Sequence, residues 1–368
     1  MTQAPSSSIP DSSPVIPPPP ATPQVQPAPV MHSRPAGDFM ESILSAAREE
    51  SVELDNYEAL NADSPEEPDS TCTIAPKELP NGTRLHGYRV QRTIGCGGFG
   101  VTYLAQETLL NRSVVIKENF PDSICYREEG TLNVCLHDPE TGKEGFNWAM
   151  SNFLREVRLL ATLDHASIAK VYSYFEEHGT AYYVLEYING ISLDKLASQH
   201  AAMGKPIPQS GLFGLMVRLL DALDYLHSHK LLHRDIKPDN ILINRSGLPV
   251  IIDFGAARES YGDLSNSIVE TPGFSPSEQS TPNGNMGPWT DIYALGATLY
   301  YTLTGTCLPG CKQREIYDTA DPLAENPTLL ATYNRALLAT IDRAINPHAE
   351  HRYQSVAEWM RALAAIKL

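Results

Sequence analysis

The chain contains 368 residues, of which 42% are hydrophobic, and it carries 28 Lys and Arg against 44 Asp and Glu for a formal net charge of −16. This length and hydrophobic content suffice for one large or two modest cores. The acidic balance gives no long-range attraction to phosphate backbones or anionic lipid, which argues against sequence-independent binding of nucleic acid.

The spacing of the cysteines and the composition of the first residues bear on where in the cell the protein is located. Six cysteines are spread along the chain without a CxxC pair or the spacing of zinc ligands, which favours reduced thiols over a metal site or a disulfide framework. The start, MTQAPSSSIP, lacks the basic and apolar regions of a signal peptide. No apolar run reaches the roughly 18 residues of a membrane span. We therefore expect a cytoplasmic protein without a membrane span.

The first 80 residues differ in composition from the rest. Residues 1–37 are rich in Pro, Ser, Ala and Gln. Such a segment has too few large apolar groups to offset the entropy of ordering, so it predicts disorder with local polyproline II structure. A plain spacer is the simpler interpretation, and a ligand for a proline-binding partner is the other.

Within this region, residues 38–60 indicate a short amphipathic helix. Phe39, Ile43, Leu44 and Ala47 recur at helical spacing, with charged residues between them. Such a helix either docks on the folded domain or a partner, or forms transiently without a role.

From Tyr88 onward the pattern changes to short strands and then to helices. The predicted strands cover residues 89–94, 101–105, 113–117, 168–175 and 181–186, with an amphipathic helix over 146–163. Later helices are predicted over 193–200, 212–229, 290–304, 334–345 and 355–366. Strands first and helices second predict an α+β fold, with a small sheet-rich lobe before a larger helical lobe.

A glycine-rich motif, Gly95-Cys96-Gly97-Gly98-Phe99-Gly100-Val101, lies between two predicted strands. Glycines let a backbone approach phosphates closely and offer N–H groups to their oxygens. The motif alone is weak, because a plain glycine hairpin would look the same. A strand follows it rather than a helix, which disfavours a dinucleotide-binding fold.

Two charged residues gain meaning only as a pair. Lys117 ends the apolar run Val114-Val115-Ile116. By itself it indicates only a lysine on an edge strand. Glu156 in the following helix alone reads as a surface glutamate. Together they form a candidate ion pair that would hold the lysine beside phosphates.

Two later motifs carry the strongest signal. His233-Arg234-Asp235-Ile236-Lys237-Pro238-Asp239-Asn240 places a carboxylate, a cation and an amide in one loop. Ile251-Ile252-Asp253-Phe254-Gly255 adds a carboxylate at the end of an apolar strand. Finding both in this order by chance is very improbable.

These motifs resemble those of the eukaryotic-type protein kinases, specifically their bacterial serine/threonine branch. The resemblance covers residues 88–368, with a small antiparallel-sheet lobe over about 88–187, which carries one main helix, and a helical lobe over about 188–368. It implies a bilobal fold and phosphoryl transfer from ATP, with Mg²⁺, to serine or threonine hydroxyls of protein substrates. It is also compatible with self-association for autophosphorylation between copies.

The resemblance implies a role for each matching residue. Lys117 would hold the α- and β-phosphates and Glu156 would orient it; Asp235 would orient the substrate hydroxyl; Lys237 would neutralise the γ-phosphate. Asn240 and Asp253 would bind magnesium. The nucleotide would also contact a wider set: Ile94, Gly95, Gly97, Gly98, Gly100, Val101, Val115, Glu186 and Ile188. Leu185 falls at the gatekeeper position beside the adenine, and it reads equally as a core leucine.

Further residues match the family's structural supports. Glu278 and Arg352 match a conserved ion pair of the family, Asp291 matches the anchor of the catalytic loop, and Thr271 matches the substrate-side threonine. Arg234 matches an arginine that often pairs with a phosphorylated residue. The candidates for that modification are Ser260, Tyr261, Ser265 and Ser267, and unmodified solvated side chains are the alternative.

The sequence departs from the family pattern in three places. Val115 replaces the usual alanine above adenine, and Ser275-Pro276-Ser277-Glu278 displaces the proline that normally precedes the glutamate. The segment between Lys117 and Glu156 is about twice the usual length. We expect a small hairpin over 131–136 packed on the helix that carries Glu156, either regulatory or a passive insertion.

Two other functions compete with catalysis. A pseudokinase scaffold usually lacks one of the lysine and the two aspartates, and all three are present. A small-molecule kinase of related fold would lack the segment from Thr271 to Glu278. Both alternatives are therefore less favoured than a protein kinase.

Overall fold

The computed structural model describes Met1 and residues 77–259, 270–281 and 284–367, and for Arg258 and Glu259 it describes the backbone alone. The predictions of disorder over the N-terminal region, of the helix over 38–60 and of the four modification candidates lie outside these residues, apart from Met1 and residues 77–80.

The N-terminal lobe is built on a six-stranded antiparallel sheet in the order β1-β2-β3-β4-β8-β7. Its strands are β1 (Arg84–Leu85), β2 (Tyr88–Cys96), β3 (Gly100–Glu107), β4 (Arg112–Asn119), β7 (Val171–Glu177) and β8 (Thr180–Glu186). Apolar residues alternate along β2 to β4, so that Val90, Tyr103 and Val114 point into one core. The sheet begins at Arg84, before the onset at Tyr88 that the sequence suggested.

One long helix, α1 (Gly142–Leu160), packs against β4, β7 and β8 of the sheet. It begins four residues earlier and ends three residues earlier than the predicted helix over 146–163. Val157 and Leu160 are buried, and the Phe153 ring lies 4.9 Å from that of Tyr183. Six of the seven residues of β8 are buried, because this central strand is covered on both faces.

The insertion between Asn119 and α1 forms a two-stranded hairpin of β5 (Cys125–Arg127) and β6 (Val134–Leu136). The predicted hairpin over 131–136 was placed wrongly in its first strand, because residues 131–133 belong to the turn. The packing on α1 is as expected: Ile124 lies against Gly142 and Gly145 of the helix.

The C-terminal lobe is mainly helical, as predicted. Its helices are α2 (Leu193–Ala202), α3 (Gln209–Ser228), α4 (Pro288–Thr304), α5 (Cys311–Ile316), α6 (Pro327–Leu330), α7 (Arg335–Ala344) and α8 (Val356–Ala364). The two short helices α5 and α6 were not predicted, because one or two turns carry too little periodicity. Helix α4 is buried along most of its length and ends at Gly305, whose φ of 69° suits glycine.

Short strands at the junction of the lobes position the two motifs that carry Asp235 and Asp253. A three-stranded sheet has the order β12-β11-β9, with β9 (Gly190–Ser192), β11 (Ile241–Asn244) and β12 (Pro249–Ile251), and β10 (Leu231–Leu232) pairs with β13 (Arg258–Glu259). The loop 233–240 therefore connects β10 to β11, and Asp253 lies two residues after the end of β12.

One predicted strand starts three residues later and ends two residues later than expected. Residues 168–175 were predicted as extended, whereas β7 starts at Val171 and Ile168 makes a single parallel bridge to Ile251. In the described part of the chain, no helix combines the length and hydropathy that crossing a bilayer requires.

Candidate active site

A cavity of about 560 Å³ lies between the glycine-rich loop, α1 and the motifs that carry Asp235 and Asp253. It brings together residues from both lobes that are far apart in the sequence. Nine of the predicted site residues line it: Gly95, Gly97, Gly98, Gly100, Val101, Lys117, Glu156, Asp235 and Asp253. Trp148, Asn152 and Phe153 of α1 also line it, and sequence reasoning did not assign them to the site.

The glycine-rich loop is the tight connection between β2 and β3. The Gly97 N–H donates to the Gly100 carbonyl over 3.0 Å and closes the turn. A Cβ at Gly100 would lie 2.5 Å from the Glu118 carbonyl oxygen, which real side chains do not tolerate. Backbone packing within the sheet therefore requires this glycine, whatever the loop binds.

Lys117 on β4 contacts two carboxylates. Its Nζ lies 2.7 Å from Asp253 Oδ1 and 3.4 Å from Glu156 Oε1. The predicted pair with Glu156 is present, and the contact with Asp253 is the shorter of the two. The lysine thus links the N-terminal lobe, the long helix and the C-terminal lobe.

Glu156 is held from its other side by Tyr183 of β8. The Tyr183 hydroxyl donates to Glu156 Oε1 over 2.5 Å, and the tyrosine side chain is fully buried. Sequence reasoning missed this residue, because a tyrosine in an apolar strand reads as core. Burial, and then the neighbouring Glu156, raise the pKa of Tyr183 well above its usual value, so it remains a donor.

The charges of the lysine and Asp253 stabilise each other. The Lys117 ammonium lowers the pKa of Asp253 to about 2, so this carboxylate is ionised at neutral pH although it lies in a cleft. Burial alone would lower the pKa of Lys117, but the carboxylates of Asp253 and Glu156 outweigh burial and raise it.

The backbone around Asp253 is set by the buried Phe254. The Phe254 side chain is 1% exposed and its ring lies 4.6 Å from that of His233. Asp253 itself adopts a φ of 63°, a conformation that costs energy for a residue other than glycine. The packing of Phe254 in the core therefore orients the Asp253 carboxylate towards Lys117.

Asp235 accepts hydrogen bonds from three side chains. Lys237 Nζ and Asn240 Nδ2 each lie 2.8 Å from its Oδ2, and Thr271 Oγ1 lies 2.8 Å from its Oδ1. Asn240 also donates to the Asp235 carbonyl over 2.9 Å. The threonine that the family resemblance placed on the substrate side therefore contacts the expected catalytic aspartate directly.

Asp291 of α4 forms hydrogen bonds with the backbone of the loop that carries Asp235. Its carboxylate accepts the backbone N–H groups of His233 and Arg234 over 3.0 and 2.9 Å, and His227 Nε2 lies 2.8 Å away. Burial opposes its ionisation, but these hydrogen bonds outweigh burial and lower its pKa. Arg234 adopts a φ of 67° between this anchor and Asp235, so the anchor holds a strained backbone in place.

Glu278 and Arg352 form the expected ion pair, with Arg352 Nη1 2.7 Å from Glu278 Oε1. Arg352 is completely buried and also donates to the carbonyls of Asn346 and Pro347. The displaced Pro276 immediately precedes a 3-10 turn, Ser277–Ser280, that carries Glu278. The ion pair thus forms despite the changed position of the proline.

The remaining predicted residues of the nucleotide site lie on β2, on β4, at the end of β8 and just after β8. Val115 is partly buried on β4 opposite Leu185, Glu186 ends β8, and Ile188 follows in the connection to β9. Ile94 on β2 is 41% exposed. Within the described ranges, these side chains and those of Lys237 and Asn240 do not line the 560 Å³ cavity, which lies on the side of α1.

Comparisons with known proteins agree with this geometry. Residues 88–353 match the protein kinase domain family. The chain is 34% identical over 291 residues to the serine/threonine-protein kinase PknA of Nostoc sp., covering 75% of this chain and 46% of that protein. It is 30% identical over 228 residues to the serine/threonine-protein kinase PrkC of Bacillus subtilis, covering 61% and 31%.

A solved structure is also similar. PpkA-294 in its apo form superimposes with a TM-score of 0.68 at 39% identity, and the match covers 78% of this chain and 99% of that one. The chain spans about half or less of the length of the curated relatives it matches. The family match over residues 88–353 and these relatives together show that the chain belongs to the eukaryotic-type protein kinase family, in its bacterial serine/threonine branch.

Proposed function

We propose that this protein is a serine/threonine protein kinase that transfers the γ-phosphate of ATP to protein hydroxyls. The observation that carries the proposal is the convergence of Lys117, Asp235 and Asp253 on one cleft. Lys117 lies on a strand of the N-terminal lobe, more than one hundred positions before Asp235 in its loop and Asp253 after its strand. Only the folded arrangement of the two lobes joins them.

The proposed nucleotide site combines a cation with a close backbone loop. Lys117 would bind the α- and β-phosphates, and Glu156 and Tyr183 keep its ammonium in place. Gly95, Gly97, Gly98 and Gly100 would cover the phosphates with backbone N–H groups. Val101, which lines the cavity, would contact the adenosine together with Ile94, Val115, Glu186 and Ile188. Val115 narrows this part of the cleft relative to alanine.

The side chains of Asp253 and Asn240 fit a magnesium site. Mg²⁺ prefers oxygen ligands, and an ionised carboxylate with an amide oxygen supplies them. Asp253 is ionised because its pKa is about 2. Asn240 uses its Nδ2 to bond Asp235, so its Oδ1 is the atom that remains for a cation. When bound, Mg²⁺ would neutralise charge on the phosphates.

Asp235 is placed to orient the attacking hydroxyl. Its Oδ2 is shared by Lys237 and Asn240 and its Oδ1 by Thr271, so its orientation is fixed from three sides. Lys237 would also neutralise charge that develops on the transferred phosphoryl group. Phosphoryl transfer needs positioning and charge neutralisation more than covalent chemistry, and this arrangement provides both.

The proposal also covers the location of the protein, its acceptor residues and its autophosphorylation, which membership of the family does not by itself establish. We propose a cytoplasmic protein in signal transduction, with serine or threonine of other proteins as acceptors and with autophosphorylation between copies. The contact of Lys237 and Thr271 with Asp235 supports serine/threonine acceptors over tyrosine. Catalytic function is favoured over a pseudokinase scaffold, because both aspartates and the lysine hold ordered positions in the cleft.

The decisive experiment compares Asp235→Asn with wild type in transfer from radiolabelled Mg-ATP to the protein itself and to a general substrate. We expect Asp235→Asn to reduce transfer by about 10²–10⁴-fold. Asp239→Asn, an exposed aspartate in the same loop, is the matched control and should retain activity. Equal transfer by wild type and Asp235→Asn would contradict the proposed role, and no transfer by wild type under any condition would favour the scaffold.

A further inference from the structure

The glycine-rich loop is paired along its outer edge with the start of the insertion, residues 120–122. The Phe120 N–H donates to the Phe99 carbonyl over 3.0 Å, and the Asp122 N–H donates to the Gly98 carbonyl over 3.1 Å. These bonds continue the antiparallel ladder of β3 and β4, whose last pair is Gly100 with Asn119. The sheet therefore extends onto the loop itself.

The start of the insertion is itself firmly attached to the lobe. Phe120 is 1% exposed and belongs to the core under the sheet. The N–H groups of Ile124 and Cys125 both donate to the Pro121 carbonyl, which forms a compact turn. His137, beyond the hairpin, lies with Nε2 3.2 Å from the Asp122 carbonyl. The segment that pairs with the loop is therefore held in place from several sides.

Lys77 joins this segment to the glycine-rich loop. Its Nζ lies 3.0 Å from Asp122 Oδ2 and 3.5 Å from the Gly97 carbonyl oxygen. One ammonium group thus contacts the insertion and the tip of the loop together. Three consecutive loop carbonyls, those of Gly97, Gly98 and Phe99, accept bonds from outside the loop.

Arg127 fixes the backbone at Lys77 to the centre of the lobe. Its guanidinium donates to the Lys77 carbonyl over 2.8 and 3.1 Å, to the Leu132 carbonyl over 2.7 Å, and to both oxygens of Glu118 over 2.8 Å. Glu118 is buried and also accepts the hydroxyls of Tyr103 and Tyr182. Because every charge in this cluster is paired and hydrogen-bonded, the cluster is a rigid base for Lys77.

We infer that Lys77 and Asp122 are positioning residues for the glycine-rich loop. They do not line the cavity; they restrict the loop that covers it. A loop with fewer accessible conformations loses less entropy when it closes on a ligand, so the pair raises nucleotide affinity. The inference rests on the proposed nucleotide site, and it assigns a role to the insertion and to the residues just before the sheet.

An exposed ion pair alone would contribute little. The side chains of Lys77 and Asp122 are 26% and 41% exposed, and pairs of that kind are often energetically near neutral. The pair of Lys77 and Asp122 differs from an ordinary surface ion pair in its position. It lies beside the three carbonyls of the glycine-rich loop that accept hydrogen bonds from outside the loop. The effect should therefore appear in the loop and in nucleotide binding rather than in global stability.

The test uses charge reversal in the full chain. Lys77→Asp and Asp122→Lys each place like charges together, and we expect each to raise KM for ATP by roughly two- to five-fold with kcat within about two-fold. The double variant Lys77→Asp/Asp122→Lys restores an opposite pair and should recover most of the wild-type KM. A merely structural disturbance would not be reversed by the second substitution.

A second measurement needs no nucleotide. Hydrogen exchange of the Phe120 and Asp122 amides in the nucleotide-free protein should accelerate by roughly two- to five-fold in each single variant and return in the double variant. Arg112→Glu is the matched control, because Arg112 pairs with Glu107 at the opposite end of the β3–β4 hairpin. It should leave both measurements unchanged.

The outcomes separate the two proposals. Wild-type activity with an unchanged KM and unchanged amide exchange in both single variants would overturn the positioning role and leave the kinase assignment intact. Faster amide exchange in the single variants, together with no phosphate transfer by the wild-type chain, would overturn the kinase function and still support the positioning of the loop by Lys77 and Asp122. An increase in KM that the double variant fails to reverse would also overturn the proposal.

Discussion

Asp253 Oδ1 lies 2.7 Å from Lys117 Nζ, although 136 positions separate the two residues in the chain. The contact joins a strand of the N-terminal lobe to the end of a strand in the other lobe. In this contact the Lys117 ammonium lowers the pKa of Asp253 to about 2, so the carboxylate in the cleft is ionised at neutral pH.

Replacing Asp253 by Asn should abolish most activity while keeping the fold. The amide cannot supply the negative charge that a magnesium site needs, so we expect kcat/KM to fall by about 10²–10³-fold or more. The variant loses the stabilising contact between Lys117 and the charged carboxylate, but Lys117 keeps Glu156 as a partner, so the melting temperature should fall by a few degrees while the protein stays folded. Steady-state kinetics beside a melting curve measure both; retained activity would remove Asp253 from the site.

The pH dependence of this contact has a definite sign. The pKa of Asp253 is lowered from 3.8 to about 2 in the folded state, so its stabilising effect is present above pH 4 and is lost as pH falls through about 2. Between pH 6 and 9 the group stays ionised. Activity in that range should therefore show no acidic limb from Asp253, which a kcat/KM profile with Asp253→Asn alongside can check.

Tyr183→Phe should weaken the positioning of Glu156 and Lys117. Loss of the hydroxyl removes the 2.5 Å hydrogen bond to Glu156, and we expect about 1 kcal/mol less stability and a several-fold lower kcat/KM. The matched control is Tyr174→Phe, because Tyr174 faces Tyr183 across β7 and β8 and its hydroxyl bonds Glu176 instead. Equal effects of the two changes would contradict a specific role for Tyr183.

Asp291→Asn should disturb the catalytic loop from beneath. An amide has one oxygen for the backbone N–H groups of His233 and Arg234 and for His227, so we expect a loss of about 3 kcal/mol in the free energy of unfolding. Activity should fall with it, because Arg234 precedes Asp235. Chemical unfolding and kinetics on the same samples measure the two effects.

The same variant allows a test by pH. The pKa of Asp291 lies below 3.8 in the folded protein, so its contribution is present above that value and is lost as pH falls below it. The difference in unfolding free energy between wild type and Asp291→Asn should therefore shrink as pH is lowered from 5 towards 3. A constant difference would show that ionisation of Asp291 contributes nothing.

Arg352→Ala should destabilise the C-terminal lobe strongly. It leaves Glu278 inside the protein without its charged partner and removes the donors to three backbone carbonyls, which costs about 3–5 kcal/mol. Arg343→Ala is a suitable control, because Arg343 forms a half-exposed pair with Glu358 and such pairs contribute about 1 kcal/mol or less. Urea unfolding measures the free energy of unfolding of both variants. Similar losses would contradict the larger contribution that we expect from the buried pair of Arg352 and Glu278.

A chain that begins at Lys77 should be more stable than one that begins at Tyr88. Leu79 and Leu85 are 2% and 0% exposed, and burial of each contributes about 1.5–3 kcal/mol. The shorter chain would also remove β1 and the Lys77 carbonyl that Arg127 binds. Equal melting temperatures for the two chains would show that residues 77–87 are dispensable, although the family match starts at residue 88.

Much of the site could be predicted from short motifs. Gly95 to Val101, Lys117, Glu156, Asp235, Asn240 and Asp253 were identified from residue type and local spacing, and the strands and long helices from periodicity. The role of Tyr183 could not be predicted in this way, because its hydroxyl contacts Glu156 only when the helix that carries Glu156 packs on the strand that carries Tyr183. The first strand of the insertion hairpin was misplaced because register depends on which strands face each other.

The sequence by itself determined the family, the two-lobed order of strands and helices, and the chemical groups of the cleft, since these depend on local patterns. Only the tertiary structure decided that Asp253 is the nearer carboxylate to Lys117 and that Tyr183 holds Glu156. It also decided that Lys77 and Asp122 support the glycine-rich loop. Such contacts join residues tens to more than one hundred positions apart, and their distances are set by the packing of whole elements rather than by local preference.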